Sequence, residues 1–212
     1  TLVQPAAVTN AAGQTTGTVR STMVGTSTLT ATDTTDTITL TPTASVTFTV
    51  GALAHFRVSA SPTTLTAGSA TTVTITAHDV NHNVVTTYTN PNGLTLTQNG
   101  TGTAAQIIWA GTGVTDTGTT GTLAAGNFTA GVATVTLTDQ QADGPVTITA
   151  TDAVAGTTGN TNDATHPPTT NVTWGAGAVS ATTSTVTAAP ASVVADGTTT
   201  ATITVTLRDA NS

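Results

Sequence analysis

The chain has 212 residues, of which 37% are hydrophobic, 6% charged and 3% aromatic, and its formal net charge is −7 with no cysteine. Nucleic acid and anionic membrane both need Lys and Arg, so this balance argues against either as a partner. No stretch approaches the roughly 20 apolar residues of a membrane helix, disulfides are excluded, and without Lys a Lys–Asn isopeptide cross-link is excluded too.

Thr makes up roughly three in ten residues, far above ordinary usage. The good helix formers Glu and Lys are absent, while Thr and Val favour strands. In chain order, period-two runs appear at "STLTATD" (27–33), "SVTFTV" (45–50), "TVTITAHD" (72–79), "VATVTLTD" (132–139), "PVTITATD" (145–152) and "TATITVTLRDANS" (200–212). In the third run Val73, Ile75 and Ala77 share one face and Thr72, Thr74 and Thr76 the other. Val135 and Leu137, then Val146, Ile148 and Ala150, repeat the pattern. A β-branched polar residue suits the wet face of a half-buried sheet. Turn formers such as "NPNG" (90–93) and "DGP" (143–145) separate the runs. Low complexity suggests disorder, but regular alternation and a positive mean hydropathy of +0.15 suit a folded all-β protein, a β-sandwich of short strands.

The sequence also repeats. "VSASPTTLTAGSATTVTITAHDVNHN" from Val58 resembles "VTAAPASVVADGTTTATITVTLRDANS" from Val186, with Pro62 matching Pro190 and Asp79 matching Asp209. "NAAGQTTGTVRSTMVGTSTLTATD" (10–33) resembles 124–152. The expected organisation is therefore the closing strands of one domain at 1–53, a complete domain at 54–178 and the opening strands of another at 179–212. Two arrangements would complete the outer parts. The chain is a stretch of a longer tandem array, or it is a subunit whose 179–212 pairs with 1–50 of the next copy. Ile203, Val205 and Leu207 would lie at that pairing.

"ASVVADGTTTATITVTLRDANS" and "VTNAAGQTTGTVRSTMVGTSTLTATD" resemble the opening and closing strands of bacterial immunoglobulin-like repeats of the invasin/intimin type. The resemblance implies immunoglobulin-like sandwiches strung in tandem on the outside of cells, in stalks, adhesins, appendages or surface layers. It implies no catalysis and carries no functional residue over.

Several residues are candidates for chemistry. Asp79, Asn81 and Asn83 alternate as in the front half of a calcium loop, calcium being the one cofactor the sequence suggests. The Gly and Glu that complete such a loop are replaced by Val84 and Asn90, so a polar turn after a strand is the competing reading. His78 and His82 have zinc-ligand spacing but no evident third ligand, and are expected to be solvent-exposed. Asn99, Asn127 and Asn171 begin Asn-x-Thr sequons. Trp109, Trp174, Tyr88 and Phe128 are expected to pack. Asp33, Asp139 and Asp152 read as strand-end turn residues, with no pairing of acids for acid–base work. The expected role is structural and extracellular, at the cell surface, with neighbouring immunoglobulin-like domains or further copies of the chain as partners. The alternative is an adhesin-type module that grips a glycan or receptor through a long loop at 90–121.

Overall fold

The computed structural model describes residues 1–5, 9–152 and 169–211. Val8 and Ser212, which begin and end two of the motifs above, lie outside them. Every element among the described residues is a strand, and no helix is long and apolar enough to cross a membrane.

Six short strands come first: β1 (Leu2–Val3), β2 (Thr18–Val19), β3 (Gly25–Leu29), β4 (Thr32–Asp33), β5 (Ile38–Thr39) and β6 (Ala44–Phe48). They pair antiparallel as β1 with β2, β3 with β6 and β4 with β5. A large sandwich follows, made of β7 (His55–Ser61), β8 (Thr64–Thr66), β9 (Ala70–His78), β10 (Leu94–Gln98), β11 (Ile107–Ala110), β12 (Val114–Asp116), β13 (Thr120–Leu123), β14 (Val132–Asp139), β15 (Asp143–Asp152) and β16 (Thr169–Gly175). The chain ends in a hairpin of β17 (Thr185–Ala189) and β18 (Thr202–Thr206).

The sandwich has a four-stranded sheet in the order β11-β14-β9-β7 and a six-stranded sheet in the order β12-β13-β10-β15-β16-β8. Proline between β7 and β8 supplies no ladder N–H, and there the chain crosses from the first sheet to the second, where β8 runs parallel to β16. The alternating residues meet between the sheets: Val73, Ile75 and Ala77 from β9, Val135 and Leu137 from β14, Val146, Ile148 and Ala150 from β15, all at least 98% buried. Phe56, Tyr88 and Phe128 fill one end with edge-on and tilted contacts of 5.0–6.1 Å. Trp109 and Trp174 are also buried, and the indole N–H of Trp174 donates to Ser69 O at 2.9 Å.

The segment 90–121, expected as one long loop, is interrupted by short strands. It holds β10, β11 and β12 and the start of β13. These strands are three to five residues long, too short for alternation to stand out from the turns.

The flanking strands copy the sandwich's own pairing. In the sandwich Val58 faces Ile75 and Ala60 faces Val73; in the last hairpin Val186 faces Val205 and Ala188 faces Ile203. Residues equivalent to a buried core are solvent-exposed there: Val186 70%, Ile203 60% and Val205 59%, against 1% or less for Val58, Val73 and Ile75. At the other end Ser27 faces Val46 and Gly25 faces Phe48, matching Val146 with Val172 and Asp143 beside Trp174. The likeness runs on into the linkers, "TFTVGA" (47–52) and "TWGAGA" (173–178).

Candidate functional site at the domain junctions

The chemistry-bearing residues collect where the flanking segments meet the sandwich. β9 ends at His78, and Asp79 opens a tight turn in which His82 adopts a left-handed φ of 66°. Asp79 is buried and both its oxygens are in use. Oδ1 accepts the backbone N–H groups of Asn81 and Asn83, each at 2.9 Å. Oδ2 accepts the backbone N–H of Gly51, in the linker from the first segment, at 3.0 Å. The Asn83 amide donates to Oδ2 at 3.0 Å and to Oδ1 at 3.2 Å. Burial raises the pKa of this carboxyl, but the N–H donors of Gly51, Asn83 and Asn81 outweigh it and hold the value at about 2.

Asn83 also crosses the junction. Its amide donates to Thr22 O at 2.8 Å and its oxygen accepts from Val24 N at 3.3 Å. An open polar cleft of about 350 Å3 lies beside it, lined by Ser21, Met23, Phe48, Gly51, Asp79 and Asn81 among others. A cation at Asp79 would have to displace N–H donors from both carboxylate oxygens.

Neither candidate histidine is exposed as expected: His78 is 5% exposed and His82 half-buried. The His55 ring, itself 3% exposed, lies over His78, and the turn closes on it, with His78 Nδ1 and His82 O 2.8 Å apart. The His55 and His78 rings stack at 5.4 Å, and His82 meets His55 edge-on, with Nδ1 and Nε2 3.1 Å apart. Among the described residues no group of three or more His, Cys, Asp or Glu is arranged to hold a metal ion.

Of the three strand-end aspartates, only Asp33 is an exposed turn residue, accepting from Thr35 and Asp36 N–H. Asp152 is buried and accepts from the Tyr88 hydroxyl at 3.0 Å. Asp139 is buried with one oxygen, Oδ2, lacking a hydrogen bond. Burial pushes its pKa up and nearby Asp143 adds to this, against a lowering by Gln141 N–H. A carboxyl raised in the folded state favours folding most below its unfolded pKa, and that benefit is lost as pH rises through the folded value. Asp139→Asn is therefore expected to flatten the acid side of the stability–pH curve and to stabilise the sandwich at neutral pH. Urea unfolding from pH 3 to pH 8 checks this; an unchanged pH profile would show that Asp139 does not titrate differently on folding.

The sequons sit apart from the junctions. Asn99 and Asn171 are exposed, and their side-chain oxygens accept from the N–H and hydroxyl of Thr147 respectively. The Asn127 amide donates to Ala124 O at 3.0 Å. Ile203, Val205 and Leu207 are exposed.

The functional groups that sequence reading missed are the linker N–H donors of Gly51 and Gly177. Their signal was the Gly-Ala pair that follows both equivalent strands.

No family model matches the chain, and no curated protein matches it. Solved structures do. FdeC, an Escherichia coli adhesin, matches at 26% identity and a TM-score of 0.42 over 80% of this chain and 46% of its own. Invasin, a bacterial integrin-binding protein, matches at 21% and 0.42 over 96% and 36%. The Yersinia pseudotuberculosis adhesin InvE matches at 21% and 0.34 over 82% and 47%. The chain spans less than half the length of each. It is similar to bacterial immunoglobulin-like adhesins of the invasin/intimin type.

Proposed function

We propose that this chain is a structural module of an extracellular cell-surface protein, serving as a stalk, fibre or surface-layer element, and that it is not an enzyme. The observation that carries the reading is the repetition of strand pairing and linker across the chain, with core-equivalent positions exposed in the last hairpin and buried in the sandwich. A sheet with one apolar face needs a second layer. In this reading the layer comes from strands of the same kind, supplied by a neighbouring stretch of a tandem array or by a further copy.

Ile203→Asp and Val205→Asp are expected to shorten or abolish assemblies seen by electron microscopy, while the tryptophan-reported melting of the sandwich stays in place. Unchanged assemblies in both variants would overturn the reading. Antibody labelling of intact producing cells tests location, and a signal confined to the interior would refute it. The adhesin alternative is separated by a glycan array, on which a pure spacer binds nothing.

A further inference from the structure

We propose that the aspartate after the second long strand of each domain is a positioning site for the domain before it. Its carboxylate clasps the linker and sets the angle between consecutive sandwiches. The inference goes beyond the surface role, since it concerns a joint within the chain wherever the protein resides.

Two joints can be compared, and their geometry agrees. At the first, Gly51 N donates to Asp79 Oδ2 at 3.0 Å; at the second, Gly177 N donates to Asp209 Oδ2 at 2.8 Å. A Cβ built on either glycine would lie 3.4 Å from both Cβ and Oδ2 of its aspartate. Three residues further along each linker, Ala54 N donates to His78 O and Ser180 N to Arg208 O, both at 2.8 Å. Oδ1 takes the turn's N–H groups, from Asn81 and Asn83 in one case and from Asn211 at 2.9 Å in the other. An asparagine from each turn then reaches back to the preceding unit. Asn83 bonds Thr22 O and Val24 N. Asn211 donates to Ala67 O at 3.0 Å, beside Gly68, where a Cβ would sit 2.9 Å from its amide nitrogen. Asp79 and Asp209 are both buried. The linkers share Gly-Ala at 51–52 and 177–178, and at both joints the glycine N–H meets Oδ2 of the aspartate, while the asparagine that reaches back stands four residues after Asp79 but two after Asp209.

Carboxylate chemistry suits this task. It offers two oxygens and about four lone pairs, with no donor of its own. One side chain can thus gather N–H groups from a linker and a turn at once, and charge-assisted bonds are stronger than neutral ones. Asparagine cannot replace it. With Oδ1 kept toward the turn, its NH2 would face the Gly51 N–H, donor against donor. The clasp binds a glycine-containing linker and a polar turn, so the partner it fits is another domain of this same kind.

The test is a distance measurement across the first joint. The absence of cysteine lets nitroxides be placed cleanly through Thr28→Cys and Thr122→Cys, both at exposed positions, for double electron–electron resonance. The parent protein should give one narrow distance distribution. Asp79→Asn should at least double its width. Asn83→Ala, which removes the Asn83 side chain's bonds to Thr22 O and Val24 N but leaves the carboxylate on Gly51 N–H, should broaden it less. Tryptophan fluorescence melting verifies that the sandwich is folded in each variant. Two results overturn the proposal: an already broad distribution in the parent, or an unchanged width in both folded variants. If Asp79→Asn unfolds the sandwich, Asn83→Ala decides alone, and an unchanged width in it overturns the proposal. Failure of the surface reading would leave this outcome untouched, since the measurement needs only the purified chain.

Discussion

Replacing Trp174 with alanine is expected to cost the sandwich about 3–5 kcal/mol, the range for truncating a fully buried large aromatic. Trp174 is 1% exposed. It lies on β16 opposite Asp143 on one side and Leu65 on the other, and its indole N–H reaches across to Ser69 O. One side chain therefore ties the last strand to β8 and to the start of β9. Its loss opens a cavity and leaves a carbonyl without its donor. Trp109 is the other tryptophan in the chain and is buried in the opposite sheet, so its fluorescence remains a clean reporter during urea unfolding. A loss below about 1 kcal/mol would mean that the site collapses around the truncation. Trp174→Phe should cost less, since Phe48 stands at the equivalent place in the first segment.

The second large effect is expected at the start of β15, where its register against β16 shifts between Asp143 and Val146. Gly144 has a φ of 145°, and a Cβ there would lie 2.8 Å from the Thr173 Cα. Gly144→Ala therefore combines a strained backbone with a clash against main chain that cannot rotate away, together about 2–5 kcal/mol. Gly25 is the matching control. It has the same φ of 145° but nothing within 4 Å of its built Cβ. Gly25→Ala should leave the tryptophan-reported transition of the sandwich within about 0.5 kcal/mol. If Gly144→Ala melts like the parent, the start of β15 is not pressed against β16 as described.

Much of the fold was legible because Thr alternates with apolar residues over seven or eight positions in β9, β14 and β15. At that length period-two patterning is distinct from chance. It failed in two places for different reasons. In β10–β13 the strands run only three to five residues, too few for a period to stand out from the turns. At the end of β9 the rule of one buried face breaks down, because Ala77, His78 and Asp79 are buried in succession. A strand keeps one wet face only while nothing covers it, and here the His55 ring lies over His78 and the linker meets Asp79. The repeat was legible through Pro62, Asp79 and their counterparts. The clasp was not, since half of it is backbone N–H, which any residue except proline supplies.

The parallel pairing of β8 with β16 bears on how the protein would respond to being stretched. The chain arrives through β7 and β8 and departs through β16, so tension applied to the two ends of the sandwich draws these neighbours in opposite directions along their own axes. Thr64, Leu65 and Thr66 sit against Thr173, Trp174 and Gly175, and their bonds are loaded together rather than peeled one at a time. Yielding under load then demands a collective rupture, which a single-molecule pulling trace would display as one distinct force peak for this sandwich rather than a gradual ramp.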